Sequence, residues 1–241
     1  MEDIHCWEKK FEPCLYSDRL LNKVDSLNRL VKQPVNITEL KKSIYYARKY
    51  HGAQMRQSGE SYYSHPIEVA YMLAEYAVSE APQYYKTDIL VTAVLHDTIE
   101  DTKLTEGMIL DIFDKQIAEQ VESLSRNKDS GKITSKEMLY SLWNKKKNDI
   151  ALIKLFDRLH NIRTIGSKSS DKQQKITIET VETFLALSIY LQIPKITQEL
   201  INFSSKNTDV QFSSFGFQTK DDSFRFSPLA LRNESVLDRT L

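Results

Sequence analysis

Residues 91–102 read VTAVLHDTIEDT and place one imidazole, His96, and three carboxylates, Asp97, Glu100 and Asp101, directly after an apolar run. The residues before His96 are apolar on almost every face of a helix, which predicts that this helix is buried. A buried Asp beside a buried His needs a partner or a cation, because an unpaired carboxylate in the interior would sooner be neutralised than stay charged. The stretch therefore fits either a metal-binding site or a helix end with acidic cap residues and a satisfied core histidine.

The composition favours an ordinary globular protein built of helices. A chain of 241 residues, 41% hydrophobic and 27% charged, allows one large domain or a domain with appendages. Six Gly and six Pro are few for the tight turns of an all-β fold. The 33 basic and 33 acidic residues balance, so no overall basic field favours nucleic acid or an anionic membrane. The longest apolar stretch, residues 184–191, is far shorter than the about 20 residues of a membrane span.

Two cysteines and the absence of an apolar signal segment indicate the cellular compartment. Cys6 and Cys14 lie close together near the N-terminus, which does not resemble a disulfide framework. We therefore expect a cytoplasmic protein that contacts neither nucleic acid nor a membrane.

Hydrophobic periodicity predicts an all-α fold in three parts. Residues 1–36 form an N-terminal segment with an amphipathic helix at about 17–31, and residues 37–203 form the main domain with trailing helices. In the main domain the polar segments 125–132 and 167–175 are expected to be loops, and one long helix is expected over about 176–191. From 204 to 241 the helical period is lost, and we expect a mostly disordered tail, the alternative being a short hairpin around the scattered phenylalanines.

Two further segments carry polar groups among apolar neighbours. Ser64-His65-Pro66 is typical of a helix start, where His65 is either a ligand or a capping residue. Residues 150–164, IALIKLFDRLHNIRT, are apolar on most faces but place Asp157, Asn161 and Thr164 at i, i+4 and i+7, on one face of a helix. A polar stripe on a buried helix is typical of a functional site.

Combined in chain order, the candidate ligands are His65, the adjacent His96-Asp97, and Asp157. Two imidazoles and two carboxylates suit a borderline divalent ion in metal-assisted hydrolysis. The order His, His-Asp, Asp resembles that of the HD-domain phosphohydrolases. A polar loop over residues 51–64, which contains two glycines, is a candidate for contact with a ligand.

The resemblance is closest to the hydrolase domain of RelA/SpoT-type alarmone enzymes. It rests on RQSGESY at residues 56–62 followed by His65-Pro66, on HDTIEDT at 96–102 and on DRLHNIRT at 157–164, in the family order over roughly residues 37–190. The resemblance implies a compact multi-helix HD-domain bundle around a metal site that binds Mn²⁺. It also implies a guanine-nucleotide substrate, guanosine tetra- or pentaphosphate (ppGpp or pppGpp), whose 3'-pyrophosphate is removed to leave GDP or GTP.

The resemblance also implies a role for each matching residue. The manganese ligands would be His65, His96, Asp97 and Asp157. The residues that orient and deprotonate the attacking water would be Glu100 and Asp101. The guanine end would be held by Arg56, Gln57 and Ser58, and the ribose and phosphate region would be contacted by Asn161 and Thr164.

The chain departs from the family pattern at three positions: Gln57 stands where a lysine is usual, Ser61 replaces a proline, and Phe156 replaces a small alanine. That lysine is a cation that could lie over the purine ring, so its absence affects selectivity for the nucleobase. The resemblance to stand-alone forms of this domain implies an alternative substrate, NADPH, acted on at its 2'-phosphate. A non-catalytic alarmone-binding regulatory module is the alternative of a different class. No synthetase motif follows the hydrolase motifs, so we expect a hydrolase-only, truncated form without alarmone synthesis. The sequence is compatible with a homo-oligomer as well as with a monomer.

Overall fold

Helices form most of the described chain, which confirms the predicted all-α class. The computed structural model describes residues 6–128 and 130–207. The helices are α1 Trp7–Lys10, α2 Leu15–Asn28, α3 Ile37–His51, α4 Ser64–Glu80, α5 Thr87–Leu95, α6 Thr98–Asp101, α7 Glu106–Ile112, α8 Lys115–Leu124, α9 Ser135–Asn144, α10 Asn148–Arg163, α11 Ser170–Glu179, α12 Leu185–Tyr190 and α13 Pro194–Asn207. Two short strands, β1 Asn127–Lys128 and β2 Gly131–Lys132, pair antiparallel.

Helix α5 lies at the centre of the core. Its residues from Ile89 to Leu95 are all buried, as the apolar run predicts. It packs against α3, α4 and α8, and α4 in turn packs against α2 and α10. Because α4, α5 and α10 contact one another, the three helices predicted to carry metal ligands converge in one place.

The predicted N-terminal segment shares this core. Trp7 of α1 and Leu20 and Val24 of α2 are buried in the same hydrophobic cluster as α5. The amphipathic helix predicted over 17–31 is α2, whereas the short α1 was not predicted. Asn28, at the end of α2, donates to the carbonyl of Val35 (2.9 Å) and accepts from its N–H (2.8 Å), which fixes the turn that leads into α3.

The C-terminal part of the domain differs from the sequence-based expectation. The predicted loop over 167–175 is wrong, because a 3₁₀ turn at Ile165–Ser167 leads into α11, which begins at Ser170. The predicted single helix over 176–191 is interrupted by a π-helical segment, Thr180–Phe184, before α12. The first part of α11 is largely exposed, so it lacks the apolar period by which a packed helix is recognised.

Two other boundaries also differ. The predicted loop over 125–132 contains the β1–β2 hairpin, with Asn127 opposite Lys132. Helix α13 continues to Asn207, and the rest of the predicted tail, residues 208–241, lies outside the described residues. None of the helices in the described ranges is both long enough and apolar enough to cross a membrane.

Candidate metal centre and catalytic cleft

The candidate ligands are positioned by the ends of α4 and α5 and by the middle of α10. His65 is the second residue of α4, and Asp157 lies in the second half of α10. Helix α5 ends at Leu95, and the Thr98 hydroxyl donates to the Leu95 carbonyl (2.7 Å) where α6 begins. The backbone therefore turns at His96-Asp97 and carries the acidic residues of α6 into the same cleft.

Three of the predicted ligands form a compact set. One donor atom each from His65, His96 and Asp157 lies within 4.8 Å of the other two. The Nε2 atom of His65 is 3.0 Å from Oδ1 of Asp157, and the Nε2 atom of His96 is 3.8 Å from the same oxygen. Asp97 lies beside this set, with its two carboxylate oxygens 3.0 Å from His96 Nε2 and 3.6 Å from His65 Nε2.

The orientation of the two imidazoles fits a cation between them. His96 Nδ1 lies 2.8 Å from the Ala93 carbonyl, so it carries the proton and donates, which leaves the Nε2 lone pair for a metal. That Nε2 atom is buried without a hydrogen-bond partner, because its contact with Asp97 lacks hydrogen-bond geometry. His65 is held in a similar way, with its Nδ1 atom 2.9 Å from Nδ1 of His160. The residues present therefore fit a divalent metal ion.

A buried lysine stands among the carboxylates. The ammonium of Lys154 is 3.5 Å from Asp97 Oδ1 and 3.3 Å from Asp157 Oδ2. Burial alone would raise the pKa of Asp97, but the charges of His96 and Lys154 hold it well below its usual range. Burial likewise opposes the charged form of His96, yet Asp97 and Asp157 raise its pKa to about 10.

The acidic pair of α6 has two different environments. Arg126 and Lys132 contact Glu100 Oε1 at 2.5 and 2.8 Å, and Arg126 also donates to Oε2. Burial opposes ionisation of Glu100, but the hydrogen bonds from Arg126 and Lys132 lower its pKa. Asp101 instead accepts a 2.7 Å hydrogen bond on Oδ2 from the Tyr62 hydroxyl. Burial and then the charge of Asp97 raise the pKa of Tyr62, so this hydroxyl stays protonated and donates.

A cavity of about 480 Å³ opens over these groups. Of the predicted nucleotide contacts, Arg56, Gln57 and Asn161 line it. Arg56 Nη2 lies 3.4 Å from Asn161 Oδ1 and 3.3 Å from Thr164 Oγ1, so the loop after α3 contacts the C-terminal end of α10. Thr164 and Ser58 lie outside the cavity wall, and the Ser58 hydroxyl contacts Glu60 at 3.3 Å in an exposed turn.

Several cleft residues were not predicted from the sequence: Tyr62, Arg126, Lys132, Lys154, His160, Lys168 and Lys172. The sequence could have identified Lys154 as a site residue, since it is a lone cation in an apolar run and lies three residues before Asp157, on the same helical face. The cations of the hairpin and of α11 had no comparable signal, because they lie in polar segments where charged residues are ordinary.

Comparison with known proteins identifies the protein family to which this fold and this site belong. Residues 43–191 match the HD-domain family, and the chain belongs to it. It is homologous to the Rsh and SpoT proteins. It is 37% identical over 175 residues to the GTP pyrophosphokinase rsh of Brucella ovis, covering 70% of this chain and 22% of that protein. It is 36% identical over 187 residues to the bifunctional (p)ppGpp synthase/hydrolase SpoT of Escherichia coli K12, covering 73% and 25%.

The chain therefore spans about a quarter or less of the length of these relatives. A solved structure described as a metazoan ortholog of SpoT that hydrolyzes ppGpp has a TM-score of 0.57 and 19% sequence identity to this chain. The match covers 75% of this chain and 100% of that one. At this identity the likeness shows that the two proteins share a fold.

Proposed function

We propose that this chain is a manganese-dependent pyrophosphohydrolase that converts ppGpp or pppGpp to GDP or GTP and pyrophosphate. The observation that carries the proposal is the set of two buried imidazoles and Asp157, within 4.8 Å of one another and beside the acidic pair of α6. The homology to Rsh and SpoT supports the same substrate class.

The proposed metal ligands are His65, His96, Asp97 and Asp157. A divalent ion bound there would polarise phosphoryl oxygens and lower the pKa of water. Nitrogen and oxygen ligands without a thiolate suit Mn²⁺.

The acidic pair would divide the handling of water. Both oxygens of Glu100 form hydrogen bonds or ion pairs with Arg126 or Lys132, so Glu100 stays ionised. In this state it would orient the attacking water. Asp101 uses Oδ2 to accept from Tyr62, which leaves Oδ1 to accept the proton of the attacking water. The water oxygen forms a bond to the phosphorus next to the ribose, and the bond from that phosphorus to the 3' oxygen breaks. The proton that Asp101 accepted then passes to the 3' oxygen.

The nucleotide would lie along the wall formed by the loop after α3 and by α10. Arg56 and Gln57 would contact the guanine end inside the cavity, and Ser58 would contact it from the rim. Asn161 would contact the ribose and phosphate region, with Thr164 behind Arg56. Arg126 and Lys132, next to Glu100, would balance the charge of the departing pyrophosphate.

Release of pyrophosphate from ppGpp by the purified chain with Mn²⁺ tests the proposal. Asp101→Asn and Asp157→Asn should each lower kcat by about 100-fold or more, the range lost when a positioned acid-base group or metal ligand is removed. Glu122→Gln is the control, because this carboxylate pairs with Lys128 away from the cavity. Release that persists in both cleft variants would contradict the mechanism.

Gln57 lines the cavity without a charge, and this observation favours a test of a second substrate. NADPH, acted on at its 2'-phosphate, should be turned over side by side with ppGpp under the same conditions. Faster turnover of NADPH would replace the proposed substrate while keeping the metal site. Tight ppGpp binding without turnover under several metals would instead identify a regulatory binding module.

A further inference from the structure

The cleft contains a second group of cations, and two of its three members, Lys168 and Lys172, have no role in the proposed chemistry. Arg56, Lys168 and Lys172 line the same cavity as the acidic pair. We call these three residues the rim cations. They come from two separate segments: Arg56 from the loop after α3, and Lys168 and Lys172 from the residue that follows the 3₁₀ turn and from the first turn of α11.

The rim cations have no anionic partner in the part of the chain that the structure describes. Arg56 contacts the neutral side chains of Asn161 and Thr164, and neither lysine forms an ion pair with a carboxylate. This contrasts with Arg126 and Lys132, which both pair with Glu100. The rim cations therefore leave positive charge unbalanced at one wall of a concave site.

The arrangement is built into the backbone and carries an electrostatic cost. The side-chain amide of Gln173 donates to the carbonyl of Lys168 (2.8 Å), which fixes Lys168 to the first turn of α11. Burial lowers the pKa of Lys168, and the nearby charges of Arg56 and Lys172 lower it further, against a smaller opposing effect of Asp157. Like charges held together in a cleft repel one another until an anion binds between them.

We infer that Lys168 and Lys172, next to Arg56 at the guanine end, form a subsite for the 5'-diphosphate of a guanine nucleotide. The inference rests on the proposed function and extends it. A nucleotide with diphosphates on both the 3' and 5' positions needs two separate sources of positive charge. The first source would be the divalent ion at the proposed metal ligands, together with Arg126 and Lys132. Lys168 and Lys172 supply the second, near Arg56, which contacts Asn161 and Thr164.

Binding of GDP and of guanosine tests this subsite without any hydrolysis. Both affinities are measured by calorimetry on the full chain in EDTA, so that no metal bridges phosphate to protein. Wild-type protein should bind GDP at least about tenfold more tightly than guanosine, since one charge-assisted hydrogen bond is worth about that factor.

The double variant Lys168→Gln/Lys172→Gln should lose this preference while its affinity for guanosine is unchanged. The matched control is Lys103→Gln/Lys175→Gln, which removes the same net charge at exposed lysines outside the cavity wall and should keep the preference. Equal binding of GDP and guanosine by wild-type protein, or an equal loss of GDP affinity in both double variants, would overturn the inference.

The binding test of the subsite can fail or succeed separately from the hydrolysis test of the proposed function. Hydrolysis of ppGpp with Mn²⁺, combined with no preference for GDP, would refute the subsite and leave the function standing. A preference for GDP that depends on the two lysines, without hydrolysis of ppGpp, would refute the function and support the subsite.

Discussion

Replacing Lys154 with methionine should make the stability of the protein depend strongly on a divalent ion. The Lys154 ammonium is buried and lies 3.3–3.5 Å from carboxylate oxygens of Asp97 and Asp157. Methionine has similar length and bulk but no charge, so the metal-free variant would keep two neighbouring carboxylates with less compensating charge. Breaking a buried ion pair by removing one partner costs about 3–5 kcal/mol.

For a domain of this size, such a loss in the free energy of unfolding lowers Tm by about 6–20 °C. Thermal unfolding of the metal-free variant and wild-type protein in EDTA measures this difference. Mn²⁺ in hundredfold excess over its Kd adds about 2.7 kcal/mol to any protein that binds it only when folded. Because Mn²⁺ would replace the missing charge, the increase in Tm on adding Mn²⁺ should be larger in Lys154→Met than in wild-type protein.

The control is Lys128→Met, which removes a more exposed ion pair with Glu122. Such surface pairs contribute about 0–1 kcal/mol, so the control should unfold within a few degrees of wild-type protein. If Lys154→Met in EDTA is as stable as Lys128→Met, Lys154 does not balance the charge of the two carboxylates, and the electrostatic account of the site is wrong.

Three further predictions use other contacts. Tyr62→Phe removes the hydroxyl that donates to Asp101, and kcat for ppGpp should fall by about 10- to 100-fold, whereas Tyr63→Phe should leave kcat unchanged. His51 is buried and its pKa is lowered by that burial, so the unfolded chain binds more protons below pH 6.5 and stability should fall as the solution is acidified. Urea unfolding at pH 7.5, 6 and 5 measures the free energy of unfolding, which should fall less with decreasing pH in His51→Gln than in wild-type protein. The same dependence on pH in both proteins would contradict this role of His51. Asn36→Ala removes the side chain that accepts from two backbone N–H groups of α3, so urea unfolding should show a loss of about 1 kcal/mol; no measurable loss would mean that the cap is dispensable.

The helical class and the position of the candidate metal centre could be predicted from the sequence because both depend on local patterns. The apolar run before His96 fixes a buried helix, and burial makes the adjacent charged pair costly without a cation. The stripe at Asp157 and Asn161 follows from the helical period, and the structure places both residues on the cavity wall. The HD-domain resemblance was confirmed by the family match over residues 43–191.

The exposed start of α11 and the β1–β2 hairpin could not be predicted in the same way. Both segments are polar and mostly exposed, so burial imposes no period on their sequences. These segments and the residues just before them nevertheless bring four cations to the cleft: Lys168, Lys172, Arg126 and Lys132.

The sequence by itself determined which residue types are available for chemistry, namely the candidate His and Asp ligands and the acidic pair after them. Only the tertiary structure decided how those residues are charged and held. Glu100 is engaged by Arg126, 26 residues away, and Asp97 is approached by Lys154, 57 residues away. Ion pairs of this kind depend on distances across the packed core, and no periodic pattern along the chain encodes them, because each partner is placed by a different helix or hairpin.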